Sequence, residues 1–331
     1  MDKSHSGLFL NRVEDYIQNR FKGTGVVVEV VKGQSILEKE YPCFAAVNRA
    51  ASLITRHDGR VIWLTYTPDG PIEQTLLLVG KGVTYDTGGA DIKAGGIMAG
   101  MSRDKCGSAV VAGFLQCVAD LKPKGIKVIG AMAMVRNSVG ENCYVSDEII
   151  TSRHGIRLRV GNTDAEGRMA MVDVLAHARE KALKEKNPHL MTIATLTGHA
   201  AIAMGPYTAV MDNGTARKEQ FAQKLFSIGE KYGDPFEVSN IRREDYGMIF
   251  DASKAFVDIL QCNNKASSAT PRGHQFPAAF MHHVSGLDKN MASSEKPLKY
   301  SHLDIAGSSG GLPHPTTGSA VTALVMHFIA N

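Results

Sequence analysis

Two acidic residues and an arginine are crowded into one short segment, "GNTDAEGRM" at residues 161–169. Asp164 and Glu166 are separated by one residue, and Arg168 follows two positions later, directly before an amphipathic pattern. Residues two apart in extended backbone point to the same side, so both carboxylates can face one cation. The flanking glycines allow the chain to turn tightly around it. The structural alternative is that Asp164 caps the following helix while Glu166 favours its dipole.

A second segment, residues 79–109, is rich in glycine and also carries charges. It reads "VGKGVTYDTGGADIKAGGIMAGMSRDKCGSA" and contains Lys81, Asp86, Lys93 and Asp104. Glycines cluster where the backbone turns sharply or approaches another group closely. A nucleotide loop does not fit, because the G-x-x-x-x-G-K-[ST] pattern is absent and Tyr85 occupies the third glycine position of G-x-G-x-x-G. Metal binding explains the same residues better.

The four acids of these two segments cannot meet without counter-charge. At an effective dielectric near 20 and separations of about 5 Å, each pair of like charges costs roughly 3 kcal/mol. The six pairs would approach roughly 20 kcal/mol, which exceeds the usual stability of a domain, about 5–15 kcal/mol. Two divalent cations about 3.5–4 Å apart, bridged by the carboxylates, would balance the four negative charges.

The cations of the two segments fit the same site. Burial lowers the pKa of a lysine, so Lys81 beside a metal can be neutral and donate its lone pair as a ligand. Lys93 and Arg168 would then leave the site positive, which suits an oxyanion and a bound anion such as carbonate on the guanidinium group.

Apolar runs separated by helical patterns predict an α/β fold with a mostly parallel or mixed central sheet sandwiched between helices. The predicted strands are 26–31, 61–66, 75–80, 127–135 and 190–198, and the predicted helices are 8–21, 107–121, 167–186 and 319–330. Ligand groups of such sheets collect at the carboxyl ends of the strands, where the acids lie. We expect residues 1–40 to form a helix and a strand that lead into one α/β domain at 41–331.

Composition excludes several classes of protein. The chain has 331 residues, 44% hydrophobic and 21% charged, with a net charge of +4, which indicates a globular protein without a nucleic-acid-binding stripe. Its five cysteines show no C-x-x-C spacing, as is typical of reduced thiols. No secretion signal or membrane-length apolar run is present in the sequence, so a soluble cytoplasmic location with no membrane partner is expected.

Other reactive residue types have structural interpretations. The H-E-x-x-H and G-x-S-x-G patterns are absent from the sequence. In the pair His282-His283 we expect one ring to pack and the other to be solvated, whereas His199 and His274 could approach the site. Cys106 is expected to begin a helix, and residues 308–309 to form a turn.

Three segments at matching separations resemble the leucyl aminopeptidase family of dinuclear zinc enzymes: "GKGVTYDTGG", "MSRDKCGSA" and "NTDAEGRM". The segments "ATLTG" at 194–198 and "HLDIAG" at 302–307 resemble two further landmarks of the family. The resemblance is specific between about residues 75 and 325. It predicts a metal-dependent aminopeptidase that releases N-terminal amino acids from peptides.

The resemblance implies a role for each site residue. One metal would be bound by Lys81, Asp86, Asp104 and Glu166, and the other by Asp86, Asp164 and Glu166. Lys93 would polarise the scissile carbonyl, and Arg168 would hold bicarbonate. The pocket for the N-terminal side chain would be lined by Met101, Thr195 and Gly198. Zinc is the first candidate for both metals, with manganese, magnesium or cobalt as alternatives.

The implied mechanism uses a hydroxide that bridges the two metals and attacks the peptide carbonyl. The substrate's free α-amine would bind one metal, which explains a preference for N-terminal residues. The resemblance also implies a homo-hexamer. Family members typically carry a separate N-terminal domain, so the chain is expected to be a fragment or a shortened homologue.

The sequence departs from the family pattern at several places, which indicates a divergent branch. These are the segment "RNSVGENCYVSDE" at 136–148, His199 after "LTG", "RGHQFPAAF" at 272–280, and Tyr300 in place of a tryptophan. They leave open a catalytically weak or inactive member that acts as an assembly or binding module. A two-metal phosphoesterase is a third hypothesis, but it would need further metal ligands and a phosphate-binding loop that the sequence does not offer.

Overall fold

The computed structural model describes residues 9–250 and 256–330. Its strands are β1 (Val27–Lys32), β2 (Arg60–Tyr66), β3 (Gln74–Asp86), β4 (Ile126–Asn137), β5 (Ile149–Thr151), β6 (Arg157–Arg159), β7 (Pro188–Ala194), β8 (Thr208–Asp212), β9 (Phe236–Asn240), β10 (Ile259–Leu260) and β11 (Lys299–Asp304). Its helices are α1 (Leu10–Phe21), α2 (Gln34–Glu40), α3 (Pro42–Ser52), α4 (Cys106–Leu121), α5 (Glu166–Ala182), α6 (Gly198–Met204), α7 (Gly214–Lys218), α8 (Phe221–Tyr232), α9 (Arg243–Phe250), α10 (Gln275–Val284) and α11 (Val321–Phe328).

The centre of the molecule is an eight-stranded mixed sheet with the order β1-β2-β4-β3-β7-β11-β8-β9. Strands β4, β3, β7 and β11 run parallel to one another. Strands β1 and β2 extend one edge in antiparallel pairs, and β8 is antiparallel to β11 on the other side. A smaller sheet has the order β10-β6-β5. The predicted mixed α/β fold is confirmed.

Helices cover both faces of the large sheet. Apolar residues of α3, α5 and α10 pack in one buried cluster, and those of α1, α4, α8 and α11 pack in another. Alternate residues of β3 enter the two layers: Leu77 and Val79 face the first cluster, whereas Leu76 and Leu78 face the second. A strand that is buried on both faces shows no polar alternation, which is why its sequence is a continuous apolar run.

Strand β3 contains one irregularity, close to its carboxyl end. Its parallel register with β4 is regular as far as the pair Val83 and Val135, and the next pair is Asp86 with Asn137. The chain therefore advances three residues on β3 against two on β4, so one extra residue is accommodated in β3 as a bulge.

Three elements end far from their predicted boundaries. Strand β3 continues to Asp86, beyond the predicted end at 80. Strand β7 ends at Ala194 and not at 198, because Leu196 N and Thr197 Oγ1 donate hydrogen bonds to the carboxylate of Asp304 and turn the chain away from the sheet. Thr197 Oγ1 then accepts from Ala200 N and caps α6. Helix α5 ends at Ala182, four residues before the predicted end at 186.

The ends of the chain agree with the predicted elements within the described residues. Helix α1 begins at Leu10, with Phe9 as its N-cap, and so corresponds to the predicted helix at 8–21; residue 8 lies outside the described part of the chain. Strand β1 pairs with β2 and so belongs to the large sheet. Across residues 9–250 and 256–330, none of the helices combines the length and apolar character needed to span a bilayer.

Candidate metal and peptide site

The ten residues singled out in the sequence lie around one cavity of about 310 Å³. They are Lys81, Asp86, Lys93, Met101, Asp104, Asp164, Glu166, Arg168, Thr195 and Gly198. The cavity lies where β3 and β7, which run parallel, reach their carboxyl ends. The expected convergence of the separate segments is therefore observed.

Each segment brings its charges to the cavity in a different way. Lys81 lies inside β3, and Asp86 is the last residue of that strand. Asp104 follows a single 3₁₀ turn at Met101–Arg103 and is separated from the first residue of α4 by Lys105, the N-cap of that helix. Glu166 is in the first turn of α5, which places its carboxylate near the positive end of the helix dipole.

The capping role considered for Asp164 is not observed. Residue Ala165 is the N-cap of α5, and no side chain caps the helix there. Asp164 instead forms an ion pair with Lys93 across the cavity.

Three buried acids could hold a metal ion. Asp86, Asp104 and Glu166 each place a carboxylate oxygen within 4.8 Å of those of the other two. Asp104 Oδ2 and Glu166 Oε2 are buried and have no hydrogen-bond partner. Because buried acceptors are rarely left unpaired, these two oxygens fit a cation that would complete the site. Carboxylate oxygens are suitable ligands for zinc, manganese and magnesium.

Two lysines supply positive charge to the acids in this structure. Lys81 Nζ lies 2.8 Å from Asp104 Oδ1 and 2.8 Å from Glu166 Oε1, and it donates to the carbonyl oxygen of Thr195 at 3.1 Å. Lys93 Nζ lies 3.0 Å from Asp86 Oδ2 and also pairs with Asp164. Each ammonium group therefore lies between two carboxylates. The two lysines therefore supply part of the positive charge that the four clustered acids require.

Burial and mutual repulsion shift the pKa values of these groups. Burial raises the pKa of Asp104 to about 8, although Lys81 opposes the shift. Burial, followed by the charges of Glu166 and Asp86, raises the pKa of Asp164 to about 7. Burial acts to lower the pKa of Lys81, but Asp104 and Glu166 outweigh it and the pKa is raised. A neutral amine at Lys81 therefore requires a cation that replaces the charge of the ammonium group.

Arg168 is held rigidly beside the acids. Its guanidinium carbon lies 4.5 Å from the centre of the Phe276 ring, and Nη1 donates to the carbonyl oxygen of Gln261 at 3.0 Å. Its Nε is buried and has no hydrogen-bond partner. A fixed guanidinium group with an unused donor is suited to bind an anion.

A polar network that the sequence did not reveal supports the acids. Asn137 Nδ2 donates to Asp86 Oδ1 at 2.8 Å and to the carbonyl oxygen of Thr163 at 3.1 Å. The hydroxyl of Tyr144 donates to the same carbonyl oxygen at 2.7 Å. Both side chains come from segment 136–148, which departs from the family pattern and yet contacts the site.

Gln261 fixes the loop that carries Asp164. Its Oε1 accepts hydrogen bonds from the backbone N–H groups of Gly161 and Asn162, both at 3.1 Å. Its Nε2 donates to the carbonyl oxygens of Asn162, at 3.0 Å, and Ala165, at 2.9 Å. One amide side chain thus replaces four backbone hydrogen bonds that an irregular loop cannot form by itself.

The histidines do not contribute to the cavity wall in the described residues. His199 Nδ1 and His274 Nδ1 hydrogen-bond to each other at 2.7 Å outside that wall. His282 is fully buried, whereas His283 is partly buried and contacts Asp288 at 2.8 Å.

Cys106 and the serine pair Ser308-Ser309 have the structural roles that were expected. Cys106 begins α4, and burial raises the pKa of its thiol to about 11, which disfavours a nucleophilic thiolate. Ser308 and Ser309 lie in a turn. The five cysteines are free thiols.

Comparison with known sequences identifies the family. A model of the cytosol aminopeptidase family, catalytic domain, matches residues 5–325. The chain belongs to this family. This agrees with the resemblance found in the three site segments, which lie within the matched region.

Relatives in the family carry related names. "Putative aminopeptidase W07G4.4" of Caenorhabditis elegans is 48% identical over 95% of this chain and 60% of its own length. "Probable cytosol aminopeptidase" of Aquifex aeolicus is 32% identical over 75% of this chain and 45% of its own length. The protein of the same name in Helicobacter hepaticus is 34% identical over 61% of this chain and 41% of its own length. The chain thus spans about half the length of these relatives.

Proposed function

We propose that this chain is the catalytic part of a metal-dependent aminopeptidase that releases N-terminal amino acids from peptides. The observation that carries the proposal is the cluster of buried acids with two unpaired carboxylate oxygens, flanked by two lysines and an arginine in one cavity. Membership of the cytosol aminopeptidase family and the names of the relatives support it.

The acids and one lysine would hold two divalent metal ions. The proposed ligands are Lys81, Asp86, Asp104, Asp164 and Glu166. Zinc is the first candidate, and manganese, magnesium or cobalt are alternatives with similar ligand requirements. When bound, such ions supply Lewis acidity and a water molecule that is acidic near neutral pH.

The remaining residues act directly on the peptide. With metal ions on the acids, Lys93 would no longer be needed as the counter-charge of Asp86 and Asp164, and it could donate to the carbonyl oxygen on which negative charge develops. Arg168 would hold bicarbonate, whose oxygens can accept a proton from the attacking water. Met101, Thr195 and Gly198 line the slot for the N-terminal side chain.

The same proposal covers the substrate, the oligomeric state and the location of the protein. A free substrate amine would bind among the acids and their metals, so that internal peptide bonds lack the anchor. We propose a homo-hexamer in the cytoplasm, with peptides carrying a free N-terminus as substrates. We also propose that residues 41–331 form the catalytic domain and that residues 1–40 lead into it.

The test is hydrolysis of an aminoacyl anilide by the purified chain. We expect activity with zinc, manganese or cobalt, its loss with a chelator, and at least a hundredfold loss in Asp164→Ala and Lys93→Ala. Lys186→Ala is the matched control, because this exposed lysine lies outside the cavity wall. Turnover of the N-acetylated anilide at the rate of the free amine would refute the amine anchor.

A non-catalytic assembly or binding module was the alternative from the sequence. All the proposed ligands are retained and converge on one cavity, which does not favour that alternative. Wild-type protein that binds metal yet fails to hydrolyse any aminoacyl substrate would restore it.

A further inference from the structure

The cavity wall carries more positive than negative side chains. Its cations are Lys81, Lys93, Arg103, Arg168 and Lys265, and its acids are Asp86, Asp104, Asp164 and Glu166. In the described part of the chain, the ion pairs of this wall are those that join Lys81 and Lys93 to the four acids. Arg103 and Lys265 are thus left without an acidic partner there. Neither residue has a role in the proposed chemistry.

Arg103 is oriented by the protein but uses little of its binding capacity. It is partly buried at the end of the Met101–Arg103 turn, and its Nη1 donates to the carbonyl oxygen of Gly310 at 3.0 Å. A guanidinium group has five N–H donors in a rigid plane, so within residues 9–250 and 256–330 most of the donors of Arg103 are left for a planar anion. Lys265 is exposed on the wall and adds a second positive charge.

The size of the cavity limits how far from the acids an anionic group of a bound peptide can lie. A volume of about 310 Å³ lies at the small end of the range for small-molecule sites, which is about 300–1,000 Å³. A peptide whose amino end lies among the acids would therefore fill the cavity within a few residues. A short peptide carries its C-terminal carboxylate within that distance, and an acidic N-terminal residue carries one on its side chain.

We infer that Arg103 and Lys265 bind a carboxylate group of the substrate, so that the enzyme prefers peptides with a carboxylate close to the scissile bond. This inference rests on the proposed aminopeptidase function and specifies its substrate class. The two sources of the carboxylate are the C-terminus of a dipeptide or tripeptide and the side chain of an N-terminal Asp or Glu.

Matched substrates separate the two sources. Leucyl-glycine and leucyl-glycinamide share the scissile bond and differ only in the C-terminal carboxylate. Glutamyl-anilide and glutaminyl-anilide differ only in the side-chain carboxylate. We expect kcat/KM to be at least about tenfold higher for the carboxylate member of one pair, since charge-assisted hydrogen bonds to Arg are strong. The preference should weaken as the salt concentration rises.

Substitutions at Arg103 and Lys265 test whether these two residues cause the preference for a carboxylate. Arg103→Met and Lys265→Met should each lower the ratio of kcat/KM between the carboxylate and the neutral member of the preferred pair, and the double variant should bring that ratio to about one. Arg103→Lys should retain part of the preference, because it keeps the charge but loses the planar donors. Lys186→Met removes an exposed lysine elsewhere and should leave the preference unchanged.

The results distinguish failure of the inference from failure of the proposed function. Active wild-type protein with no preference in either pair overturns the inference alone, as does a double variant that keeps the full preference. If the metal-loaded protein hydrolyses none of the four substrates, the proposed function fails. Calorimetric binding of leucyl-glycine and leucyl-glycinamide to the same variants then decides the carboxylate site, and equal affinities for the two ligands reject it.

Discussion

Asp91 and Thr163 join two loops through a reciprocal pair of hydrogen bonds. The backbone N–H of Thr163 donates to Asp91 Oδ2 at 2.7 Å, and the backbone N–H of Asp91 donates to Thr163 Oγ1 at 2.8 Å. Thr163 Oγ1 also donates to the carbonyl oxygen of Gly88 at 2.7 Å. Lys93 follows Asp91 by two residues, and Asp164 follows Thr163 directly. This contact therefore sets the distance between a proposed substrate-binding lysine and a proposed metal ligand.

Replacement of Thr163 tests that contact. Thr163→Val removes the hydroxyl and leaves Asp91 N and the Gly88 carbonyl unpaired, which should cost about 1–3 kcal/mol of stability. We expect kcat to fall at least about tenfold and the metal dissociation constant to rise, because small displacements of catalytic groups are costly. Thr163→Ser keeps the hydroxyl and should remain within about threefold of wild type. Equal activity of the two variants would show that the contact does not position the site.

Removal of Lys81 should destabilise the metal-free protein. Lys81→Met leaves Asp104 and Glu166 buried without their ammonium partner, and breaking a buried pair costs about 3–5 kcal/mol. Lys127→Met is the control, because its pair with Glu185 is partly exposed and should contribute less than about 1 kcal/mol. Urea unfolding with chelator present measures both. Similar unfolding free energies for the two variants would contradict the role of Lys81 as counter-charge.

A methyl group at Gly167 should impair the site while leaving the fold intact. A Cβ at this position would lie 2.6 Å from Lys81 Cε, too close for the lysine to keep its place. Because Ala favours a helix over Gly by about 1 kcal/mol, Gly167→Ala should change the melting temperature little but reduce metal affinity and activity at least about tenfold. Gly113→Ala in α4 meets only an ordinary contact with Val321, at 3.5 Å, and should keep full activity. Normal activity of Gly167→Ala would show that Lys81 can move freely.

Buried histidines should make the protein sensitive to acid. Burial lowers the pKa of His282 to about 4 and that of His302 to about 3, both below the usual histidine value of 6.5. Below pH 6.5 the unfolded chain binds protons that the folded chain does not, so the stability present above pH 6.5 is lost as the pH falls toward 4. Each histidine should account for about 1.4 kcal/mol of that loss at pH 5.5.

Single substitutions isolate the histidine contribution from that of the acids. Burial raises the pKa of Asp173 to about 6, so this group stabilises the folded protein as the pH falls and opposes the effect of the histidines. The slope of unfolding free energy against pH must therefore be compared between each variant and wild type. His302→Asn should reduce the difference in unfolding free energy between pH 7 and pH 5.5. His314→Gln, at an exposed position, should leave it unchanged. Identical slopes for the two variants would mean that His302 does not carry the effect.

The sequence could predict that the acidic side chains converge, because the acids lie at or near strand-to-helix crossings. Asp164 and Glu166 occur in a short glycine-flanked turn, and the long apolar runs predict the strands that such turns follow. The requirement for counter-charge then follows from Coulomb's law alone, although the sequence suggested metal ions and the structure adds the two lysines.

The supporting residues could not be predicted from pattern. Gln261 contacts a loop one hundred positions away in the chain, and neither it nor Asn137 belongs to a motif. The three-stranded sheet was also missed, because β5, β6 and β10 contain only two or three residues and are too short to show a period. Such contacts depend on the packing of distant segments, which no local pattern records.

The bulge in β3 decides whether the acidic cluster exists at all. Lys81 and Asp86 are five positions apart, and side chains separated by an odd number point to opposite sides of an uninterrupted strand. The inserted residue after Val83 reverses that parity, so the carboxylate joins the ammonium group on the same side. Without the bulge, the same five-residue spacing would place the carboxylate of Asp86 on the α4 side of the sheet, away from Lys81, without changing any charge. Chemistry at this strand thus depends on a residue count as much as on residue identity.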